Sequence, residues 1–105
     1  MREMSEYLEK LKPQKAGNIN TSAKIQECFD EIVIELVQAM TTWPPFNSMH
    51  EGYGVLLEEV DELWDHVKTK QKNRQLAVAR KEALQVAAMA IRFALEVCDE
   101  ERGRK

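Results

Sequence analysis

The sequence lacks the features that mark several common protein classes. It has no glycine-rich phosphate loop and no grouping of Ser, His and Asp, or of Cys and His, for nucleophilic catalysis. Its cysteines, Cys28 and Cys98, are spaced neither as metal ligands nor as a disulfide framework, so we expect buried, reduced thiols. No apolar run resembles a signal peptide or a membrane span. These absences predict a soluble, cytoplasmic protein.

The length and composition limit the size of the fold and argue against nucleic acid as a partner. A chain of 105 residues with 44% hydrophobic residues forms at most one domain with a modest core. The net charge of −3, with acids and bases mixed, argues against nucleic-acid binding, which needs a clear basic face. Six bases do cluster over residues 68–81. This cluster is either a solvated surface or a rim that faces phosphate groups.

The periodicity of apolar residues is helical throughout, and strand patterns are nearly absent. We therefore predict an all-α fold, a helical bundle of three long helices preceded by a short N-terminal segment. Residues 1–22 should form an arm or linker, with a short helix over residues 1–12. Residues 23–105 should form the helical domain, and its first long helix should cover residues 23–40.

Two further helices follow the proline-containing loop. Ser48 and Glu51 match a capping box, so the second helix should begin there and continue to residue 70. A polar break over residues 71–75 makes the second and third helices antiparallel neighbours. The third helix should cover residues 75–101.

The apolar faces of these helices predict association between copies. The second helix carries a seam with alternating spacings of four and three residues: Met49, Tyr53, Leu56, Val60, Leu63 and Val67. Trp64 adjoins this seam and is expected in the core. The third helix is apolar almost all the way round, and this short chain has too few helices to surround it. We expect a homodimer or tetramer with a core like a four-helix bundle and the third helix at the interface.

Acidic residues on two helices form the main candidate site. Glu58, Glu59 and Glu62 lie close together on the second helix, where like charges repel unless they are solvated or a cation binds them. Glu82 and Gln85 lie one turn apart on the third helix, at a similar distance from the polar break. Oxygen donors of this kind bind Mg²⁺. A merely solvated acidic face is the alternative interpretation.

These residues resemble the MazG-like, all-α nucleoside triphosphate pyrophosphohydrolases. That family carries E-E-x-x-E on one helix and E-x-x-D on the next. Glu58, Glu59 and Glu62 match the first motif in full, and Glu82 matches the start of the second. Gln85 stands where the family has Asp. The resemblance extends over the three long helices.

The resemblance implies Mg²⁺-dependent hydrolysis of an NTP or dNTP to the monophosphate and pyrophosphate, with Mn²⁺ as a possible substitute. It implies metal ligands at Glu59, Glu62, Glu82 and Gln85, and a role for Glu58 in orienting the attacking water. Because Gln85 keeps an oxygen donor but loses a charge, Mg²⁺ binding should be weaker. The alternative is a non-catalytic, oligomeric helical module, for nucleotide binding or protein interaction, with a degenerate metal site.

Four further residues are candidates for substrate contact. Trp43 and Phe46, on the loop before the second helix, could stack a nucleobase, although aromatic residues at helix boundaries are more often packing residues. Lys68 and Lys81 could bind phosphate groups. His66 is expected at the surface.

Overall fold

The computed structural model describes residues 18–102, and the regular secondary structure in this part of the chain is helical. The helices are α1 (Asn18–Thr42), α2 (Met49–Val67), a 3₁₀ turn (Gln71–Asn73), α3 (Leu76–Phe93) and a π-helical segment (Ala94–Asp99). The all-α prediction is confirmed for these residues. The predicted short helix over residues 1–12 lies outside the described residues. Among the described helices, none combines the length and the apolar character that a membrane span requires.

Helix α3 is the centre of the arrangement. It packs against both α1 and α2, whereas α1 and α2 contact each other at most slightly. A groove therefore lies between α1 and α2, with α3 beneath it. Only four hydrophobic residues in the described part of the chain are buried: Phe46, Ala88, Met89 and Val97. Three of these belong to α3 and the segment that continues it, so this helix contributes most of the core.

Helix α1 is longer than predicted. It begins at Asn18 rather than at residue 23 and ends at Thr42. The polar residues at its start are each less favourable in a helix than alanine by well under about 1 kcal/mol. A helix that is stable over the following residues can therefore extend back through them. At the other end, the Thr41 hydroxyl donates to the Val37 carbonyl at 2.8 Å.

Helix α2 begins as predicted, with one change in its capping. The Ser48 hydroxyl accepts the backbone N–H of Glu51 at 3.1 Å, which confirms the cap. The Glu51 carboxylate, however, accepts the backbone N–H of Asn47 at 3.2 Å, one residue before the cap. The helix ends at Val67, earlier than the predicted residue 70, and Arg74 Nη2 donates to the Val67 carbonyl at 2.6 Å. Arg74 thus satisfies one of the carbonyls that a helix end leaves without a partner.

The third helix changes its winding near its end. The predicted continuous helix over residues 75–101 is α-helical only to Phe93 and then widens into the π-helical segment. A π-turn shifts the side chains that follow it around the helix axis. Glu96 and Val97 become buried, and Cys98 is exposed. The prediction of a buried Cys98 is therefore wrong.

A row of exposed apolar side chains follows α2. We define the α2 stripe as the exposed residues at alternating spacings of four and three: Tyr53, Leu57, Val60, Trp64 and Val67. The prediction that Trp64 is a core residue is wrong for this chain alone, since Trp64 is 55% exposed. The physical reason is that no described helix other than α3 packs extensively against α2.

Candidate metal centre and adjoining cavity

Three carboxylates from two helices converge at one point. Glu59 and Glu62, one turn apart on α2, meet Glu82 of α3, and one oxygen of each lies within 4.8 Å of the others. We call these three residues the carboxylate cluster. Their meeting requires Glu62 and Glu82 to lie at similar heights on neighbouring helices. The structure thus brings together three of the four residues predicted as metal ligands.

The electrostatics of the cluster favour binding of a proton or a cation. Burial raises the pKa of Glu59 to about 7, and the nearby carboxylates of Glu62 and Glu82 add to this effect. The pKa of Glu82 is also raised, first by burial and then by its hydrogen bond with Glu62 and the Glu62 charge. His66 and Lys81 act in the opposite direction on Glu82. A bound cation would relieve the repulsion that adds to the effect of burial on both pKa values.

The donor set fits a small, hard divalent cation. Carboxylate oxygens are the donors that Mg²⁺ prefers, and two oxygens on opposite sides of one ion lie about 4.2 Å apart at bonds of about 2.1 Å. The cluster oxygens, within 4.8 Å of one another, need only a small side-chain adjustment to reach that spacing. Exposed or half-buried glutamates can make this adjustment by rotamer changes.

The cluster adjoins a cavity of about 640 Å³ in the groove between α1 and α2. Glu59 belongs both to the cluster and to the cavity wall, and Glu58 and Gln85 also line the wall. The remaining lining comes from α1, the loop that follows it, the start of α2 and the floor on α3: Glu35, Gln38, Ala39, Thr42, Trp43, Pro44, Phe46, Glu51, Val55, Met89 and Arg92. A volume of this size is within the range typical of small-molecule sites.

The two predicted base-contact residues occupy different environments. Both line the cavity, but Phe46 is only 2% exposed, and the guanidinium of Arg92 lies 4.0 Å from its ring centroid. One ring face of Phe46 is therefore already covered by a cation. Trp43 is exposed and offers its indole for stacking. Of the pair, Trp43 is the one with a surface that a ligand could contact.

The predicted phosphate-binding lysines lie outside the cavity wall. Lys68 pairs with Asp65 at 3.2 Å on the exposed side of α2. Lys81 lines a smaller cavity of about 380 Å³, together with Arg80 and Glu31, which form an exposed ion pair. Neither lysine is among the described residues that line the larger cavity.

Two buried charges that were not among the predicted site residues lie beside the cavity. Arg92 is 3% exposed and Glu96 is 2% exposed, and Arg92 Nε donates to Glu96 Oε1 at 3.0 Å. Their signal was present in the sequence: two opposite charges four residues apart, within an otherwise apolar run, form an ion pair on one helix face. Glu35 and Gln38 of α1 also line the cavity without having been predicted, because polar residues on a helix surface carry no comparable signal.

The site thus joins an acidic centre, a cavity for a small molecule and an exposed indole. Its chemistry is that of oxygen donors, because no cysteine or histidine belongs to the cluster found among the described residues. Comparisons of the chain with protein-family models, with curated protein sequences and with solved structures give no match.

Proposed function

We propose that this chain is a metal-dependent nucleotide pyrophosphohydrolase of the MazG-like type, which hydrolyses an NTP or dNTP to the monophosphate and pyrophosphate. The observation that carries the proposal is the position of Glu59, which belongs both to the carboxylate cluster and to the wall of the cavity of about 640 Å³. A ligand in that cavity would lie beside the cluster. The proposal includes a cytoplasmic location.

The carboxylate cluster would hold the metal ion, Mg²⁺ or Mn²⁺. Glu59, Glu62 and Glu82 supply charged oxygen donors, and Gln85, at the cavity wall, supplies a neutral one. When bound, the ion would neutralise phosphate charge and make water a better nucleophile. The nucleotide phosphates would compensate for the charge that Gln85 does not provide.

The chain's own residues would bind and orient the reactants. The exposed carboxylate of Glu58 lines the cavity and is the group we assign to orienting the attacking water. The water oxygen would form a bond to the α-phosphorus as the bond from this phosphorus to the α–β bridging oxygen breaks. Pyrophosphate would leave with that oxygen, and the attacking water would lose a proton to the solvent. The indole of Trp43 would stack on the nucleobase, since its face is accessible from the cavity.

The proposal includes a homodimer or a pair of dimers. The α2 stripe has the spacing of a coiled-coil seam, and isolated chains rarely leave such a seam in water. Ile91 and Leu95, on the third helix, are exposed as well. Pairing of two copies would cover these residues and complete a core like a four-helix bundle.

A non-catalytic helical module that binds nucleotides or another protein is the second candidate. Gln85 favours it, because a neutral amide in place of a carboxylate lowers the negative charge available to a divalent cation. Such a module would bind nucleotide in the same cavity without releasing pyrophosphate.

The test is pyrophosphate release from a panel of NTPs and dNTPs with Mg²⁺ or Mn²⁺. We expect release with the wild type and its loss in Glu59→Gln, which removes a charged ligand while keeping the shape of the side chain. Asp61→Asn is the matched control, since Asp61 is an exposed acid on the same helix that is neither in the cluster nor in the cavity wall. No release from any nucleotide would reject the enzyme and favour the module.

A further inference from the structure

The loop between α1 and α2 is held by the buried ion pair of the third helix. Arg92 Nη2 donates to the Pro44 carbonyl at 2.8 Å, and Glu96 Oε1 accepts the backbone N–H of Phe46 at 2.9 Å. The same Oε1 accepts from Arg92 Nε at 3.0 Å, so one oxygen joins the loop to the ion pair. The loop is thus fixed at two backbone positions and at the Phe46 ring, on which Arg92 stacks.

Close packing of α2 also restricts the Phe46 ring. A Cβ atom on Gly52 would lie 3.1 Å from Phe46 Cδ2 and 2.6 Å from Phe93 Cδ2. Only glycine lets α2 approach the loop and the third helix this closely. Phe46 therefore has little freedom to move, and neither does the loop that carries Trp43.

The ion pair offers little charge to a phosphate group in the cavity. Arg92 and Glu96 are both buried and neutralise each other, so their pair presents no net charge to the cavity. A buried ion pair is also a poor source of stability, because apolar residues of similar size often stabilise a core equally well. What the pair adds is a defined geometry, since its arginine and its carboxylate each bind one backbone group of the loop at a fixed position.

We propose that Arg92 and Glu96 are positioning residues for nucleotide binding. They hold the loop of residues 43–46 so that the Trp43 side of the cavity stays at a fixed distance from the carboxylate cluster. This inference rests on the proposed function, because it assigns the ligand's base to the Trp43 side and its phosphates to the cluster side. Loss of the hydrogen bonds from Arg92 and Glu96 to the loop should weaken nucleotide binding. The carboxylate cluster, formed by α2 and the first half of α3, should be retained.

The test compares Arg92→Met/Glu96→Leu with wild type. Removing both charges together avoids leaving one buried charge without a partner. We measure the affinity for Mn²⁺ alone, nucleotide binding by tryptophan fluorescence, and KM and kcat for the best nucleotide of the panel. KM should rise about tenfold or more with a smaller change in kcat, because binding common to ground and transition states is lost. The Mn²⁺ affinity should stay at the wild-type value.

Two single variants keep the proposal testable if the double variant does not fold. Glu96→Gln keeps an amide oxygen where Oε1 accepts both hydrogen bonds, so its KM should stay within about threefold of wild type. Its free energy of unfolding should fall, because the buried Arg92 charge loses its carboxylate partner. Arg92→Lys keeps the positive charge but lacks the fork that reaches Pro44 and Glu96 together, so its KM should rise. Arg102→Met/Glu100→Leu, which removes an exposed pair with a 2.9 Å contact, is the matched control.

The outcomes separate this inference from the proposed function. An unchanged KM and unchanged nucleotide binding in Arg92→Lys and in the double variant would overturn the positioning role alone. A parallel loss of Mn²⁺ and nucleotide affinity in these variants would also overturn it, because the pair would then support the whole fold. A wild-type protein that neither binds nor hydrolyses any nucleotide would instead reject the proposed function.

Discussion

Raising the pH from 6 to 8 should tighten Mn²⁺ binding to the carboxylate cluster about tenfold. With a pKa of about 7, Glu59 is about one-tenth ionised at pH 6 and about nine-tenths ionised at pH 8, and only the ionised form binds metal. A glutamate with the ordinary pKa of 4.5 would be ionised at both values and would give almost no change. Isothermal titration calorimetry in buffers of different ionisation enthalpy measures both the affinity and the proton released.

The same shift predicts how the stability of the metal-free protein depends on pH. Because the pKa of Glu59 is higher in the folded than in the unfolded chain, the folded state binds more protons between pH 4.5 and about 7. The free energy of unfolding should therefore fall as the pH rises through this window. Glu59 is only half-buried, so solvent weakens both the burial effect and the repulsion, and we expect about 1 kcal/mol rather than the full value of the shift.

Glu59→Gln should remove this part of the pH dependence, and Asp61→Asn should keep it. Urea unfolding at pH 5 and pH 8, without metal and at one protein concentration, measures the difference. A Mn²⁺ affinity that is the same at pH 6 and pH 8 would refute the reasoning. An equal pH slope in Glu59→Gln and wild type would refute it as well, because the proton would then belong to another group.

Three more predictions follow from the packing and the charges. Gly52→Ala should lower the free energy of unfolding by about 1–2 kcal/mol, since a Cβ at this position would lie 2.6 Å from Phe93. Gly54→Ala, which has open space around it, should raise the free energy of unfolding by up to about 1 kcal/mol. Urea unfolding compares the two variants, and equal effects would contradict the packing argument. Gln85→Asp should tighten Mn²⁺ binding severalfold in calorimetry, because a charged ligand replaces a neutral one, and an unchanged affinity would mean that this residue is not a ligand. Trp64→Glu should convert the oligomer to a monomer in analytical ultracentrifugation, and a monomeric wild type would contradict the proposed pairing.

The helices were predictable because apolar spacing and capping act locally. Ser48 marked the start of α2 correctly, since an N-cap depends on residues within one turn. The end of the third helix was not predictable in the same way. Glu96, within the π-helical segment, bonds to the backbone of Phe46, which is 50 residues away in the chain, and no local pattern marks such a segment. The prediction that Trp64 is a core residue was wrong for this chain alone, because sequence periodicity identifies an apolar face but not what covers it.

The acidic centre was predictable to a greater extent than the rest of the site. Helical spacing places Glu59 and Glu62 on one face, and an antiparallel neighbour places Glu82 beside them, as the structure has it. The role of Arg92 depends on a hydrogen bond to Pro44, which is 48 residues away in the chain. Contacts over such distances follow from the way the helices pack, so the sequence alone does not reveal them.

The division of the cavity wall between helices has a consequence for how this protein can change over evolutionary time. The carboxylate cluster belongs entirely to α2 and α3, while Glu35 and Gln38 come from α1, which contacts α2 at most slightly. If the proposed function holds, substitutions at these α1 positions should alter which nucleotide the cavity accepts while the carboxylate cluster keeps its geometry. Ligand preference and metal binding could then change independently of each other in this fold.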